Sequence, residues 1–425
     1  MPNLGIFKFE IIDTKFIIME EKIHMKNFTN FNFHMFTEIV FGKNTEARAS
    51  ELVKKHGGTK VMLVYGGGSV KKIGLYDTVV KSLNDAGIPF IELSGVQPNP
   101  RRSLANKGLE IAMKEGVDLV LAIGGGSTID TAKAIALGIA NDGDYWQFYK
   151  GIPPTKIAPV GAIPTIAAAG SETSGSFVIV DDLETNRKFG LMHPMVRPAF
   201  AIMNPELTYS VSPYQTSVGS ADIFAHVVMR YFIDSDCFLG DEYCEGTMRT
   251  VVKYAPIAYN NPTDYEARAE LLLASTFGHN DLLDMGRLPK NRGGEHPLER
   301  QLSGIYDTPH GAGLSVVMPP MLQYYVDNGD ERMVSRVAQF GVKVFDVDPN
   351  MGSKKDIANE GLNRFRDWIK SIGMPLTLKE LGVPNPKEDL ADIINSCVGG
   401  PDGVLPAAMP LDHKAVTTIF SSVVE

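Results

Sequence analysis

The chain has 425 residues, 44% hydrophobic and 21% charged, enough for two or three domains with sizeable cores and too apolar for a disordered chain. A net charge of −9 argues against duplex nucleic acid or an anionic membrane surface as a main partner. Three cysteines (Cys237, Cys244, Cys397) form no CxxC pair, which argues against a disulfide framework and a cysteine zinc cluster. With no apolar run long enough to span a membrane, a soluble, cytoplasmic globular protein is expected.

Residues 1–24 alternate apolar and charged side chains and lack a basic n-region, an unbroken apolar core and a cleavage site. They read as an N-terminal extension unrelated to function. From Met25, the segment MKNFTNFNFHMFTEIVFGKNT reads as a first strand pair. Beyond residue 59 the period is strand, turn, helix. TKVMLVY runs into GGGS, IPFIEL ends near Gln97-Pro98-Asn99-Pro100, and VDLVLAI runs into a second GGGS and a helix. IAPVGAIPT is another strand, followed by a loop of small residues. This alternation predicts a parallel sheet with helices on its faces. After about residue 210 long helical periods dominate, so an α/β domain over 25–210 and an all-α domain over 211–425 are expected. A cleft between two such domains is a common ligand site.

The second turn, Gly124 to Ser127, stands between a buried strand and a helix, where backbone N–H groups and the helix dipole can hold a pyrophosphate. It reads equally as a tight turn, and Asp130 on the following helix reads equally as a solvated first-turn acid. The first turn, Gly66 to Ser69, lacks the acid that an NAD-selecting site places near the ribose. Lys71 and Lys72 follow it. That favours NADP(H) over NAD(H), with a solvated helix start as the alternative.

Asp222 and His226 stand four residues apart, one face of a helix. His296 and His310 are fourteen apart, about 21 Å on a straight helix. They can converge only if Asp307-Thr308-Pro309 breaks the chain and His310 opens the next helix. One Asp and three His suit Fe²⁺ or Zn²⁺. Each histidine alone is more often structural. His34, His56, His193, His279 and His413 have no comparable partners and are taken as structural or surface residues.

Together these motifs (VYGGGSVKKIGLYD, the QPNP turn, GGGSTIDTAKAIA, the IPT and GSE loop, DxxxH, and HPLERQLSGIYDTPHGAG) resemble the iron-containing (group III) alcohol dehydrogenases, nearest their NADPH-linked butanol dehydrogenase branch. The resemblance covers the chain from about Met25 onward. It implies a Rossmann-like N-terminal domain and a helical C-terminal domain, an architecture shared with dehydroquinate synthase. It also implies Asp222, His226, His296 and His310 as metal ligands. The nucleotide-binding positions it implies are Gly67, Gly68, Ser69, Asn99, Gly125, Gly126, Ser127, Asp130, Thr165, Ser171 and Lys188. The implied reaction is hydride transfer between NADP(H) and a primary alcohol or aldehyde, with the metal as Lewis acid. A reducing cytoplasm would drive it towards aldehyde reduction.

Four positions depart from the family's pattern. Met229 stands where an acid is frequent, Ile166 and Ala169 replace hydroxyl residues, and Arg300 stands where many members carry a histidine assigned to proton relay. Arginine cannot serve as a base near neutrality, so no acid–base residue is assigned. Arg300 is the one candidate beside the metal, either facing an anionic substrate or bracing the helix through Glu299 or Asp307. Two other classes stay open: a metal- and NAD-dependent lyase on the same fold, and a non-catalytic homologue. A homodimer is compatible with the resemblance, and the sequence does not fix the oligomeric state.

Overall fold

Strands form where short apolar runs end in turn residues. In chain order they are β1 (Glu38–Phe41), β2 (Val61–Tyr65), β3 (Phe90–Leu93), β4 (Leu119–Gly124), β5 (Val160–Pro164), β6 (Ser176–Val180), β7 (Lys188–Met192) and β8 (Phe200–Met203). The computed structural model describes residues 29–233, 237–287, 292–400 and 402–425; the extension over 1–24 lies outside them. Six strands make one parallel sheet in the order β1-β8-β5-β4-β2-β3, while β6 and β7 pair as a separate antiparallel hairpin.

Burial on both faces explains why the central strands are apolar throughout rather than alternating. Val61, Leu63 and Tyr65 of β2 face a core that includes Leu52, Val79 and Leu83 from helices Ala49–Lys55 and Leu75–Asp85. Met62 and Val64 face Ala112, Ile129 and Ile135 from helices Arg102–Glu115 and Gly126–Ala140. Strands β2 and β4 run in register from Val61 opposite Leu119 to Tyr65 opposite Ile123. The two glycine turns therefore emerge side by side, where the order of connections reverses, which is where open parallel sheets bind ligands.

The expected first strand pair is one strand. β1 is the sheet edge, parallel to β8, and residues 29–37 have no regular structure. Alternating Phe and Asn imitates a half-buried strand, but Phe31, Phe33 and Phe36 are exposed and, among the described residues, no neighbour offers a second ladder.

Beyond residue 212 the described residues are mostly helical, as expected, with two short paired strands, Val404–Leu405 and Leu411–Asp412, added near the end. Helix starts follow their caps. Ser212 accepts from Gln215 N at 3.2 Å ahead of Pro213–Tyr231, and Asp264 accepts from Ala267 N at 2.9 Å ahead of Tyr265–Gly278. Phe224 anchors the core here, its ring stacked on Phe365 with centroids 5.0 Å apart. Truncating it to Ala would cost about 3–5 kcal/mol.

Candidate functional site

The helix Glu295–Tyr306 ends at Asp307, whose φ of 52° is left-handed. Pro309 is non-helical and caps the helix His310–Asn328. The break at Thr308-Pro309 thus turns the chain, and His310 opens the next helix as its sequence suggested. Gly311 completes the arrangement, because a Cβ there would collide with the carbonyl of Val218, so glycine lets this helix lie against Pro213–Tyr231.

Asp222, His226 and His296 present ligand atoms that all lie within 4.8 Å of one another. His226 Nε2 is 3.4 Å from Asp222 Oδ1, and the His226 and His296 ring centroids are 4.6 Å apart. His310 sits beside this triad rather than within it, its Nε2 3.8 Å from Asp222 Oδ1 and its ring centroid 5.4 Å from that of His296. Carboxylates hold the outward faces of two rings. His296 Nδ1 pairs with Glu295 Oε1 at 2.9 Å, and His310 Nδ1 contacts Glu299. Sequence reasoning assigned Glu295 no role and offered Glu299 only as a brace for Arg300; Glu295 adjoins His296, but Glu299 meets His310 from the preceding helix, a contact that spacing does not announce.

The site fits a divalent ion. Asp222 Oδ1, His226 Nδ1 and His296 Nε2 are buried without a hydrogen-bond partner, an arrangement that is costly unless a ligand completes it. The donors are nitrogen and oxygen without thiolate, which suits Fe²⁺ or Zn²⁺, and a carboxylate behind a histidine is the usual support for a metal-bound ring. Burial holds His226 well below the ordinary histidine range, with neighbouring His279 adding to it, so its ring is neutral and ready to ligate. Burial also raises the Asp222 carboxyl, against the pull of His310 and His296. For His310, burial opposes the charged ring, yet Glu299 holds it above the usual range.

His279, taken from the sequence as structural or surface, lines the same cavity. Its ring stacks on His226 with centroids 4.0 Å apart, its Nδ1 lies 2.6 Å from the Ala169 carbonyl, and its Nε2 is 3.4 Å from Ser176 Oγ. Burial, then Arg230, pushes it well below the ordinary range. No spacing pattern links residue 279 to the other histidines, so only the fold reveals it.

One cavity of about 410 Å³ joins the two halves of the chain. Asp130, Ser171 and Lys188 line it from the sheet side. Asp222, His226, His296, His310, Met229 and Arg300 line it from the helical side. Asp130 is buried rather than solvated. It accepts from Ser171 Oγ at 2.6 Å and Val178 N at 3.0 Å, while Lys133 donates to Ser171 Oγ, Ser174 O and Ser176 O. This pair therefore pins the loop after β5 to the helix Gly126–Ala140. Lys188 Nζ donates to Asn99 Oδ1 at 3.2 Å, and Asn99 Nδ2 donates to Asp307 Oδ1 at 3.3 Å, tying the sheet to the break between the helices.

The remaining expected nucleotide positions lie outside that cavity, at the ends of β2, β4 and β5. Gly125 caps the helix that begins at Gly126, and no side chain occupies its N-terminus, which leaves its first N–H groups for an anion. Gly124 has a φ of 154°, and a Cβ on it would meet Thr128 Oγ1 at 2.7 Å. Thr165 N donates to Gly124 O at 3.1 Å. Ile166 and Ala169 put methyl groups over Gly125 and Gly126, 3.1 and 3.9 Å from where their Cβ atoms would be. Gly67, Gly68 and Ser69 are exposed beside them.

Lys71 is not simply solvated. Its ammonium lies 4.2 Å from the Tyr76 ring centroid and 5.2 Å from that of Tyr65. Both phenols donate to Glu92 on β3, at 2.6 and 2.5 Å, and that bond, with burial, pushes Tyr76 up to about 12. An acid thus stands one strand from the first turn with its carboxylate engaged. Arg300 is exposed at the cavity wall and has no ion pair among the described residues. Glu299 and Asp307, its two expected braces, are engaged with His310 and Asn99 instead.

The chain is similar to known proteins over most of its length. Residues 37–205 match the model of the iron-containing alcohol dehydrogenases, and residues 216–424 match the C-terminal model of that family. NADH-dependent butanol dehydrogenase A of Clostridium acetobutylicum is 37% identical over 393 residues, covering 92% of this chain and 98% of that one. NADPH-dependent aldehyde reductase YqhD of Escherichia coli is 29% identical over 359 residues, 83% of this chain and 89% of its own. The crystal structure of NADH-dependent butanol dehydrogenase A from Thermotoga maritima superimposes with a TM-score of 0.86 at 34% identity, covering 94% of this chain and all of that one. Among the described residues no helix is long and apolar enough to cross a membrane. The chain belongs to the iron-containing alcohol dehydrogenase family, NAD(P)-dependent oxidoreductases acting on CH–OH groups.

Proposed function

We propose that this protein is a metal-dependent aldehyde reductase and alcohol dehydrogenase that uses NADP(H) in preference to NAD(H). The observation that carries the reading is that one cavity holds Asp222, His226 and His296 together with Ser171 and Lys188. Asp222, His226, His296 and His310 would hold Fe²⁺, with Zn²⁺ second. When bound, the metal supplies Lewis-acid polarisation of the substrate oxygen and the nicotinamide supplies or accepts a hydride.

The chain's own work is positioning. Gly125, Gly126 and Ser127 offer backbone N–H groups to a pyrophosphate, with Gly67, Gly68, Ser69, Asn99, Thr165, Ser171 and Lys188 around the cofactor. Asp130 and Lys133 hold the loop that faces the metal residues, and Met229 and Phe177 help to exclude water. Lys71, Lys72 and the absence of an acid in the first turn favour the 2′-phosphate, and Glu92 is already held by two phenols. The division into a nucleotide-binding part over 25–210 and a metal-binding part over 211–425 belongs to the same reading. So does a cytoplasmic site of action, which suits three free cysteines.

The test is an anaerobic screen of short aldehydes with NADPH and NADH, alongside metal analysis. Reduction of an aldehyde by NADPH with about one divalent ion per chain is expected. No hydride turnover by Fe²⁺-loaded protein with either cofactor, or full turnover by metal-free protein, would refute it.

A further inference from the structure

The cavity is uneven in charge. Its lining holds three cations, Lys188, Arg292 and Arg300, and two carboxylates, Asp130 and Asp222. Asp222 belongs to the proposed metal set, and Asp130 is bonded to Ser171 and Val178. Glu295 and Glu299 are fully buried against the Nδ1 atoms of His296 and His310 and do not line the cavity. Neither is available to a substrate.

Arg292 pairs with Asp284 at 3.1 Å, but Asp284 also pairs with Arg230 at 3.1 Å. Asp281 takes Arg197 at 2.6 Å and Arg230 at 3.7 Å. Three guanidinium groups therefore share two carboxylates, leaving one positive charge in excess beside the cavity. Arg300 adds a second. It lies one helical turn beyond His296 and has no ion pair among the described residues. A free guanidinium fork at a cavity wall matches the two oxygens of a carboxylate.

We infer that the substrate is a short aldehyde acid, or its hydroxy acid, whose carboxylate is received by Arg300 with Arg292 behind it while its carbonyl faces Asp222 and His296. This rests on the proposed function and narrows it. The reaction is unchanged: the carbonyl carbon takes a hydride from the reduced nicotinamide, its oxygen takes a proton from water, and the carboxylate passes through untouched. Arg300 is a specificity-determining residue here, not an acid or base.

The experiment uses metal-loaded protein with NADPH and compares kcat/KM for 4-oxobutanoate and butanal, which share a four-carbon chain. Wild type should favour the oxo acid by about tenfold or more, a difference of about 1.4 kcal/mol. Arg300→Gln should reduce that ratio about tenfold, and Arg300→Lys should keep part of it. A wild-type ratio near unity, or a ratio unmoved by Arg300→Gln, overturns the inference while leaving the proposed function standing. Calorimetric binding of butanedioate decides anion recognition without turnover. Binding by wild type that is weakened in Arg300→Gln supports it, and no binding by wild type overturns it. Should neither aldehyde be reduced, the proposed function fails and butanedioate binding alone judges the anion site.

Discussion

The imidazole of His279 lies over that of His226, planes 22° from parallel, while its Nδ1 reaches the carbonyl of Ala169. One residue therefore braces a histidine of the proposed metal site against the loop after β5. His279→Phe keeps a ring in place but removes the polar contact, leaving the Ala169 carbonyl unmet. Stability should fall by about 1–3 kcal/mol with metal content unchanged, measured by denaturant unfolding and elemental analysis. Loss of the metal in this variant would make His279 a ligand rather than a brace.

The acids behind the ligand histidines give a second prediction. Glu295 fixes Nδ1 of His296 and leaves Nε2 unpartnered, facing the proposed ion. Glu295→Gln should weaken metal binding about 10–100-fold, read by competition with a chelator. His310→Ala should lose it further. Full metal occupancy in both variants would dissolve the proposed centre.

Much of this was legible in the chain. The Asp222–His226 spacing needs only helical periodicity, and Thr308-Pro309 announces the break that lets His310 approach Asp222. The glycine turns mark strand ends because glycine is needed where the backbone turns sharply, as at Gly124. His279 was not legible, since its neighbours come from residues 169, 176 and 226, contacts that only tertiary packing creates. Nor was the fate of Asp130, because a polar residue early in a helix reads the same whether it faces water or pins a loop. The Phe and Asn alternation before β1 misled because local pattern cannot supply a missing partner strand.

Cofactor preference is tested at the first turn. A Cβ on Gly67 would meet nothing within 4 Å, so aspartate fits there without strain. Gly67→Asp should shift kcat/KM towards NADH by about tenfold or more through repulsion of the 2′-phosphate. A wild type that already favours NADH by that margin would contradict the reading of the turn.

Lys133 predicts a pH dependence of stability. Burial pushes its ammonium down from 10.5 to about 8, against the pull of Asp130 and Glu172. The folded state therefore releases this proton before the unfolded chain does, and stability rises as pH climbs from about 8 to 10.5. Below that window the full cost of burying the charge, about 3 kcal/mol, is present. Between about pH 7 and 10, wild type should gain about 2–3 kcal/mol relative to Lys133→Met in unfolding free energy. A relative loss over that range would contradict the burial argument.

The central claim is that Asp222, His226, His296 and His310 hold a metal on which hydride transfer depends. The most direct measurement follows nicotinamide absorbance during aldehyde reduction by protein purified without oxygen, then after chelation, then after Fe²⁺ is restored. The account predicts turnover, loss of turnover and recovery in that order. Turnover that survives complete metal removal, or none at any stage with the metal bound, would contradict it.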